Sequence, residues 1–191
     1  KNRDIAYAMA KANTEKMIYK AAEEDGSFEA VSINPLHVVG PLMTENHNQF
    51  FSWQFFIGQL LKGEDFGYIN GKQLRGSTIL WNMVAVRDVA RAHRLGTESP
   101  NAKNGSRYIL SATDQSGEMF TWQLQAKLKE LFPEIENIGG EEMENGKPLK
   151  DTYDSPRSYC TKAIKDLGLS TYSIEETLKE TGESYIKIGL L

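Results

Sequence analysis

Helical spacing governs the first twenty-five residues. Ile5, Ala8, Met9 and Ala12 fall on one stripe, and Tyr7, Lys11, Thr14 and Ile18 share another face. Asp4 is the predicted N-cap and Gly26 the residue that stops the helix after about Asp25. Ala6, Ala8, Ala10 and Ala12 keep the early turns slim, so this helix is expected to have neighbours on both sides. The pattern then changes. Phe28 to Ile33 reads as a short strand ended by Asn34-Pro35, because proline cannot continue a central ladder and biases Asn34 toward extended geometry. A helix followed this closely by a strand points to an αβ unit of a parallel sheet. Gly40-Pro41 closes the loop that follows.

An aromatic-rich helix is predicted from Gln49 to Lys62, with Phe50, Trp53, Ile57 and Leu60 or Leu61 on its apolar side. Gly63, Gly67, Gly71 and Gly76 punctuate a turn-rich connection to a strand over Thr78–Val86. Asp88 then caps a helix to about Leu95, and Ser106 to Ser111 forms another strand. Thr121 caps a helix that ends at Leu131, before Pro133. The acidic, glycine-containing stretch from Glu134 to Asp151 reads as a loop. Ser155-Pro156 starts a helix ending near Leu167-Gly168, and Ser173 with Glu176 forms a capping box for the last helix, to about Ile188.

Composition narrows the class without choosing a function. Of 191 residues, 40% are hydrophobic and 25% charged, which excludes disordered and fibrous chains. A net charge of -4 leaves no basic footprint for nucleic acid. The apolar runs fall well short of the roughly 20 residues that span a bilayer, so no membrane partner is expected. The opening Lys1-Asn2-Arg3-Asp4 leads into an amphipathic segment and not a signal-peptide core. One cysteine, Cys160, excludes an intrachain disulfide and any multi-cysteine metal site, and a reducing, cytoplasmic setting is the expectation. His37, His47 and His93 are scattered without matching carboxylates, so no zinc site is expected, and His93 reads as a packed helical histidine.

The sharpest chemical feature is Tyr7-Ala8-Met9-Ala10-Lys11. Residues four apart on a helix are neighbours, so phenol and ammonium project from one face. A phenol titrates near pH 10 and is a poor acid-base group at neutral pH, but a cation within about 4–6 Å favours its ionised form. Such a tyrosine can give a proton to a carbonyl oxygen as hydride reaches the carbon. The spacing alone also fits a half-exposed helical pair, and it recurs at Tyr68 and Lys72, where Asn70-Gly71 indicates a hairpin instead. The strand ending at Ile33 delivers Asn34-Pro35-Leu36-His37-Val38 to the carboxyl edge of the sheet, where open α/β sheets bind ligands.

Several segments then combine. The Tyr7–Lys11 helix with Glu15 and Lys16 is joined by Ser32-Ile33-Asn34-Pro35-Leu36-His37-Val38-Val39-Gly40-Pro41, by Val84 to His93 and by Arg107-Tyr108-Ile109-Leu110-Ser111. Their order, with the tail segments Lys162–Gly168 and Ser173–Thr177, resembles the C-terminal part of extended short-chain dehydrogenases/reductases. The nearest subgroup is the dihydroflavonol reductase, cinnamoyl-CoA reductase and yeast-type aldehyde/ketone reductase set. The resemblance implies an α/β fold, the C-terminal part of a Rossmann-type doubly wound parallel sheet with a smaller α/β substrate lobe. It assigns residues 1–45 to the cofactor lobe and 46–191 mostly to the substrate lobe. It also implies an NADP or NAD cofactor, Tyr7 as acid-base, Lys11 on the nicotinamide ribose, and Pro35, Leu36, His37 and Val38 lining the nicotinamide largely through backbone atoms.

The implied activity is reduction of an aldehyde or ketone to an alcohol. Met43, Trp53, Trp81 and Arg87 are the candidate contacts for a small-molecule carbonyl substrate. Phe50, Phe51, Trp53, Phe55 and Phe56 fit either a pocket lining or plain core, and Arg87 either the substrate side or a surface ion pair. Nucleotide-sugar epimerase or dehydratase chemistry and a non-catalytic binding module are the rival readings. The Tyr7 helix could pair in a homodimer or pack inside one subunit. The Gly-x-x-Gly-x-x-Gly phosphate loop of such enzymes and their upstream Ser or Thr have no counterpart here, so the chain is expected to be the C-terminal portion of a longer enzyme.

Overall fold

The extended segment Ser32–Val39 organises the parallel part of the molecule, whose computed structural model describes residues 2–49, 52–64, 68–69, 72–73, 80–139, 143–144, 147–148 and 159–191. Its first half, β1 (Ser32–Pro35), follows helix α1 (Asn2–Asp25), and its second half is β2 (His37–Val39). Helix α2 (Trp53–Leu61) and a short antiparallel pair, β3 (Tyr68–Ile69) and β4 (Lys72–Gln73), come next. Strand β5 (Leu80–Ala85), helix α3 (Val86–Glu98), strands β6 (Arg107–Leu110) and β7 (Glu118–Phe120), and helix α4 (Thr121–Leu131) follow. A second short pair, β8 (Met143–Glu144) and β9 (Lys147–Pro148), precedes α5 (Thr161–Leu167) and α6 (Ile174–Lys187).

β1 runs parallel to β6 in the register Ser32 to Arg107 through Pro35 to Leu110. β2 runs parallel to β5, and β5 pairs antiparallel with β7. The chain therefore exchanges partners at Leu36. Ser32 N–H donates to Ser106 O and Leu36 N–H to Leu110 O, so every second amide of β1 faces β6. Pro35 falls on the other parity, and its missing N–H lies on the edge that no described residue pairs. This is why proline stands inside β1 and does not precede its end.

Alternation along β5 sets up two cores. Trp81 and Met83 point into a cluster with Val39, Ile57, Leu60, Leu124, Leu128, Phe132 and Leu178, built by α2, α4 and α6. Val84 points the other way, toward Tyr108, Leu110, Ala92, Ala163 and Leu167. Two glycines permit the tightest helix contacts. A Cβ on Gly58 would meet the Tyr185 ring, and one on Gly182 would meet the Phe132 ring.

Several expected boundaries move. α1 starts at Asn2, so Asp4 lies inside the helix and does not cap it, whereas Gly26 ends it as predicted, with φ +72°. The expected neighbours on both sides of α1 are replaced by anchoring on one side: Ile5, Met9 and Met17 are exposed, and Ala22 is the buried residue. α2 begins at Trp53 because Ser52 accepts from Phe55 N–H, and the part of the prediction at Phe50 lies outside the described residues. Asp88 is inside α3 instead of at its cap, since the helix begins at Val86. Thr121 is likewise inside α4, where its hydroxyl accepts from Trp81 Nε1, and Gln123 Oε1 takes the Phe120 N–H. The predicted loop over 134–151 contains β8 and β9. Ser155-Pro156 lies outside the described residues, with α5 starting at Thr161. His93 is exposed and not packed. Ser173 stands at the N-cap of α6 as predicted, its Oγ accepting from Glu176 N–H, which is one half of the expected capping box.

Candidate functional site

α1 is fixed to the sheet through residues four apart that continue the Tyr7–Lys11 stripe. Glu15 Oε1 accepts from Arg107 Nε at 2.6 Å, and Tyr19 Oη donates to Ser32 Oγ at 2.5 Å with Ser106 O at 3.2 Å. Burial pushes the Glu15 carboxyl up, but its bonds to Arg107, Ser32 and Tyr19 outweigh this and hold it below its usual range. Burial, with the adjacent Glu15 charge, raises the Tyr19 phenol. These ties join α1 to the amino ends of β1 and β6.

From Tyr19 the helix continues twelve residues toward its N-terminus, about 18 Å, to Tyr7. β1 needs only about 10 Å to pass from Ser32 to Pro35. The helix is therefore long enough to carry Tyr7 to the level of the carboxyl edge. The Lys11 ammonium lies 5.7 Å from the Tyr7 ring centroid, so the two side chains do share a face, and Tyr7 is 66% exposed. The other Tyr-x-x-x-Lys spacing forms the β3–β4 hairpin predicted for it, with Asn70-Gly71 outside the described residues.

Where the strand changes partners, Asn34 Nδ2 is buried with no hydrogen-bond partner among the described residues. Three residues on, His37 stacks on Trp53 with centroids 3.8 Å apart and meets Trp81 edge-on at 5.9 Å. Asn82 N–H donates to His37 Nδ1 at 3.0 Å, which leaves the neutral ring its proton on Nε2. Burial holds the imidazole down at about 4, so it is neutral at physiological pH. This His37–Trp53–Asn82 cluster was not visible in the sequence, because its members come from β2, α2 and β5. The Glu15 and Tyr19 anchors were legible as an i, i+4 continuation of Tyr7 and Lys11.

Of the substrate candidates, Trp53 and Trp81 come together with His37, and Met43 and Arg87 do not join them. Trp81 is fully buried, while Trp53 is half-buried at the cluster. Met43 is 81% exposed on the loop before α2, and its N–H donates to His47 Nδ1. Arg87 lies 2.8 Å from Glu180 Oε2 and over the Tyr172 ring at 4.1 Å, which ties α3 to α6. Asp88 is fully buried, with one oxygen on Arg91 and the other accepting from Tyr172 N–H. Its role is to hold the turn before α6. Among the described residues no group of three or more His, Cys, Asp or Glu could hold a metal, and no helix is long and apolar enough to cross a membrane.

The fold and this edge define a Rossmann-type α/β architecture of the kind that serves nicotinamide enzymes. The sequence profile of the NAD dependent epimerase/dehydratase family matches residues 3–110, and the chain belongs to that family. It is 30% identical over 192 residues to cinnamoyl-CoA reductase 1 of Arabidopsis thaliana, covering 100% of this chain and 49% of that protein. The chain thus spans about half the length of the curated relatives it matches. Among solved structures it resembles Gre2 from Candida albicans, with TM-score 0.69 and 22% identity, over 96% of this chain and 52% of that one. It also resembles the Bordetella bronchiseptica enzyme WbmF in complex with NADH, with TM-score 0.68 and 20% identity, over 95% and 52%.

The residues present fit one end of such a cofactor. The Asn34 amide at the carboxyl edge is sealed from solvent with no acceptor among the described residues, and a bound carboxamide or ribose would supply one only where that edge opens to it. No glycine-rich phosphate cradle follows a strand in this chain, so the nicotinamide end fits these residues and the pyrophosphate end does not.

Proposed function

We propose that this chain contributes the catalytic tyrosine, the ribose-binding lysine and the substrate-side walls of an NAD(P)H-dependent oxidoreductase that reduces an aldehyde or ketone to an alcohol. The observation that carries the reading is the Lys11 ammonium 5.7 Å from the Tyr7 ring on an open helix face. When bound, the reduced nicotinamide supplies the hydride. Tyr7 Oη donates the proton to the carbonyl oxygen, and Lys11 Nζ holds a ribose hydroxyl beside it. Pro35, Leu36, His37 and Val38 offer backbone groups to the nicotinamide, with the Asn34 amide next to them. Residues 1–45 serve the cofactor side, and residues 46–191 mostly the substrate side. Trp53 walls the substrate pocket. Arg87 and Trp81 contribute from behind it as structural support, since one is paired with Glu180 and the other fully buried.

The deciding experiment is Tyr7→Phe in the full-length protein. Removing the acid-base group should lower kcat by about 10²–10⁴-fold with NADPH affinity unchanged. Turnover at the wild-type rate would end the assignment. The family profile also favours a second reading, epimerase or dehydratase chemistry on a nucleotide sugar starting at the same tyrosine. Conversion of a nucleotide sugar without added cofactor, and no consumption of NADPH with aldehydes, would select it.

A further inference from the structure

The reductase reading uses His37 only through its backbone, yet its side chain is held by two aromatic contacts and a hydrogen bond. The ring is clamped from three sides: Trp53 stacks on its face, Trp81 meets it edge-on, and Asn82 N–H occupies Nδ1. A backbone amide can only donate, so Nδ1 must accept, and the proton of the neutral ring is confined to Nε2. Nε2 makes no hydrogen bond among the described residues, and it is not among the polar atoms sealed from solvent. The result is an uncharged N–H donor, held by these contacts, that has no acceptor among the described residues. It stands three residues from the orphaned Asn34 amide, where the chain passes from β6 to β5.

We propose that His37 is a substrate-binding residue whose Nε2–H donates to an oxygen of the carbonyl substrate, with the Trp53 indole holding the imidazole in the donating orientation. Trp53 is thereby a positioning residue as well as a wall. A neutral donor suits this task. It binds a carbonyl or acyl oxygen without the stronger pull that an imidazolium would exert on carboxylates, and burial keeps it neutral at physiological pH. The assignment rests on the reductase reading and adds the side chain that meets the substrate.

The test compares wild type, His37→Phe and His37→Gln in the full-length protein. Phenylalanine keeps the stack on Trp53 and removes both the Nε2 donor and the Nδ1 acceptor of Asn82 N–H, whereas the glutamine amide restores only an N–H near the position of Nε2, which isolates the donor. With saturating NADPH and the best substrate from a panel of aliphatic and aromatic aldehydes, His37→Phe should raise KM by about tenfold. His37→Gln should recover most of that loss, and NADPH affinity by fluorescence should stay the same in all three. Nitrogen-15 NMR of the wild type, labelled at histidine, should show Nε2 protonated and Nδ1 bare, with the Nε2 resonance moving when an aldehyde analogue joins the oxidised cofactor. An unchanged KM in His37→Phe, a tenfold loss of NADPH affinity in its place, or the opposite tautomer would overturn the assignment while leaving the reductase reading intact. Failure of the wild type to reduce any aldehyde would remove the reductase reading and this inference with it.

Discussion

Acid should destabilise this protein partly through His37, and the size of the effect follows from its environment. Above pH 6.5 the imidazole is neutral in both the native and the unfolded chain. The native ring resists protonation down to about 4, because the buried site disfavours the cation. Between those values the unfolded chain binds a proton that the native chain does not, so stability falls as pH falls through that window. At about 1.36 kcal/mol per pH unit, the interval from 6.5 to about 4 amounts to about 3 kcal/mol. Protonation would also force a cationic Nδ1–H against the Asn82 N–H that it now accepts. The assay is urea unfolding of the wild type and His37→Phe at about pH 7 and about pH 4.5. Glu15, Asp25, Asp114 and Asp166, which all titrate below their usual range, lose stabilisation on acidification in both proteins and cancel in the difference. The wild type should lose about 2–3 kcal/mol more than His37→Phe on acidification. Equal losses would refute the argument that the imidazole is buried in a neutral form.

Two further substitutions probe the packing that supports this edge. Gly58→Ala gains up to about 1 kcal/mol of helix propensity, but its Cβ would lie 2.3 Å from Tyr185 Cε1, a ring that is fully buried. Overpacking of about 1–3 kcal/mol outweighs the gain, so urea denaturation should show a net loss, and a stabilised variant would contradict the close approach of α2 and α6. Thr121→Val leaves Trp81 Nε1 without its 3.1 Å acceptor inside the core, and should lower stability by about 1–3 kcal/mol in the same assay. No change there would mean that the indole finds another partner. Tyr7→Phe, followed by steady-state kinetics in the full-length protein, separates loss of turnover from loss of cofactor affinity.

By itself the sequence determined what depends on neighbours along the chain. The i, i+4 relation of Tyr7 and Lys11 follows from helix geometry alone. The stop at Gly26, the hairpin at Tyr68–Lys72 and the Ser173–Glu176 cap are likewise matters of a few successive dihedral angles and short side chains. The order of segments was enough to reveal the family, because each carries its own local pattern. Only the tertiary structure decided which partners those local elements acquire. Asp88 and Thr121 have the residue types of caps, yet burial gave their oxygens to Tyr172 N–H and Trp81 Nε1, bonds that span 84 and 40 residues. Pro35 could enter β1 because its missing donor falls on the edge that no described residue pairs. His37 gained its tautomer and its neutrality from β5 and α2, since desolvation and hydrogen bonding act through space and leave no periodic trace in the chain.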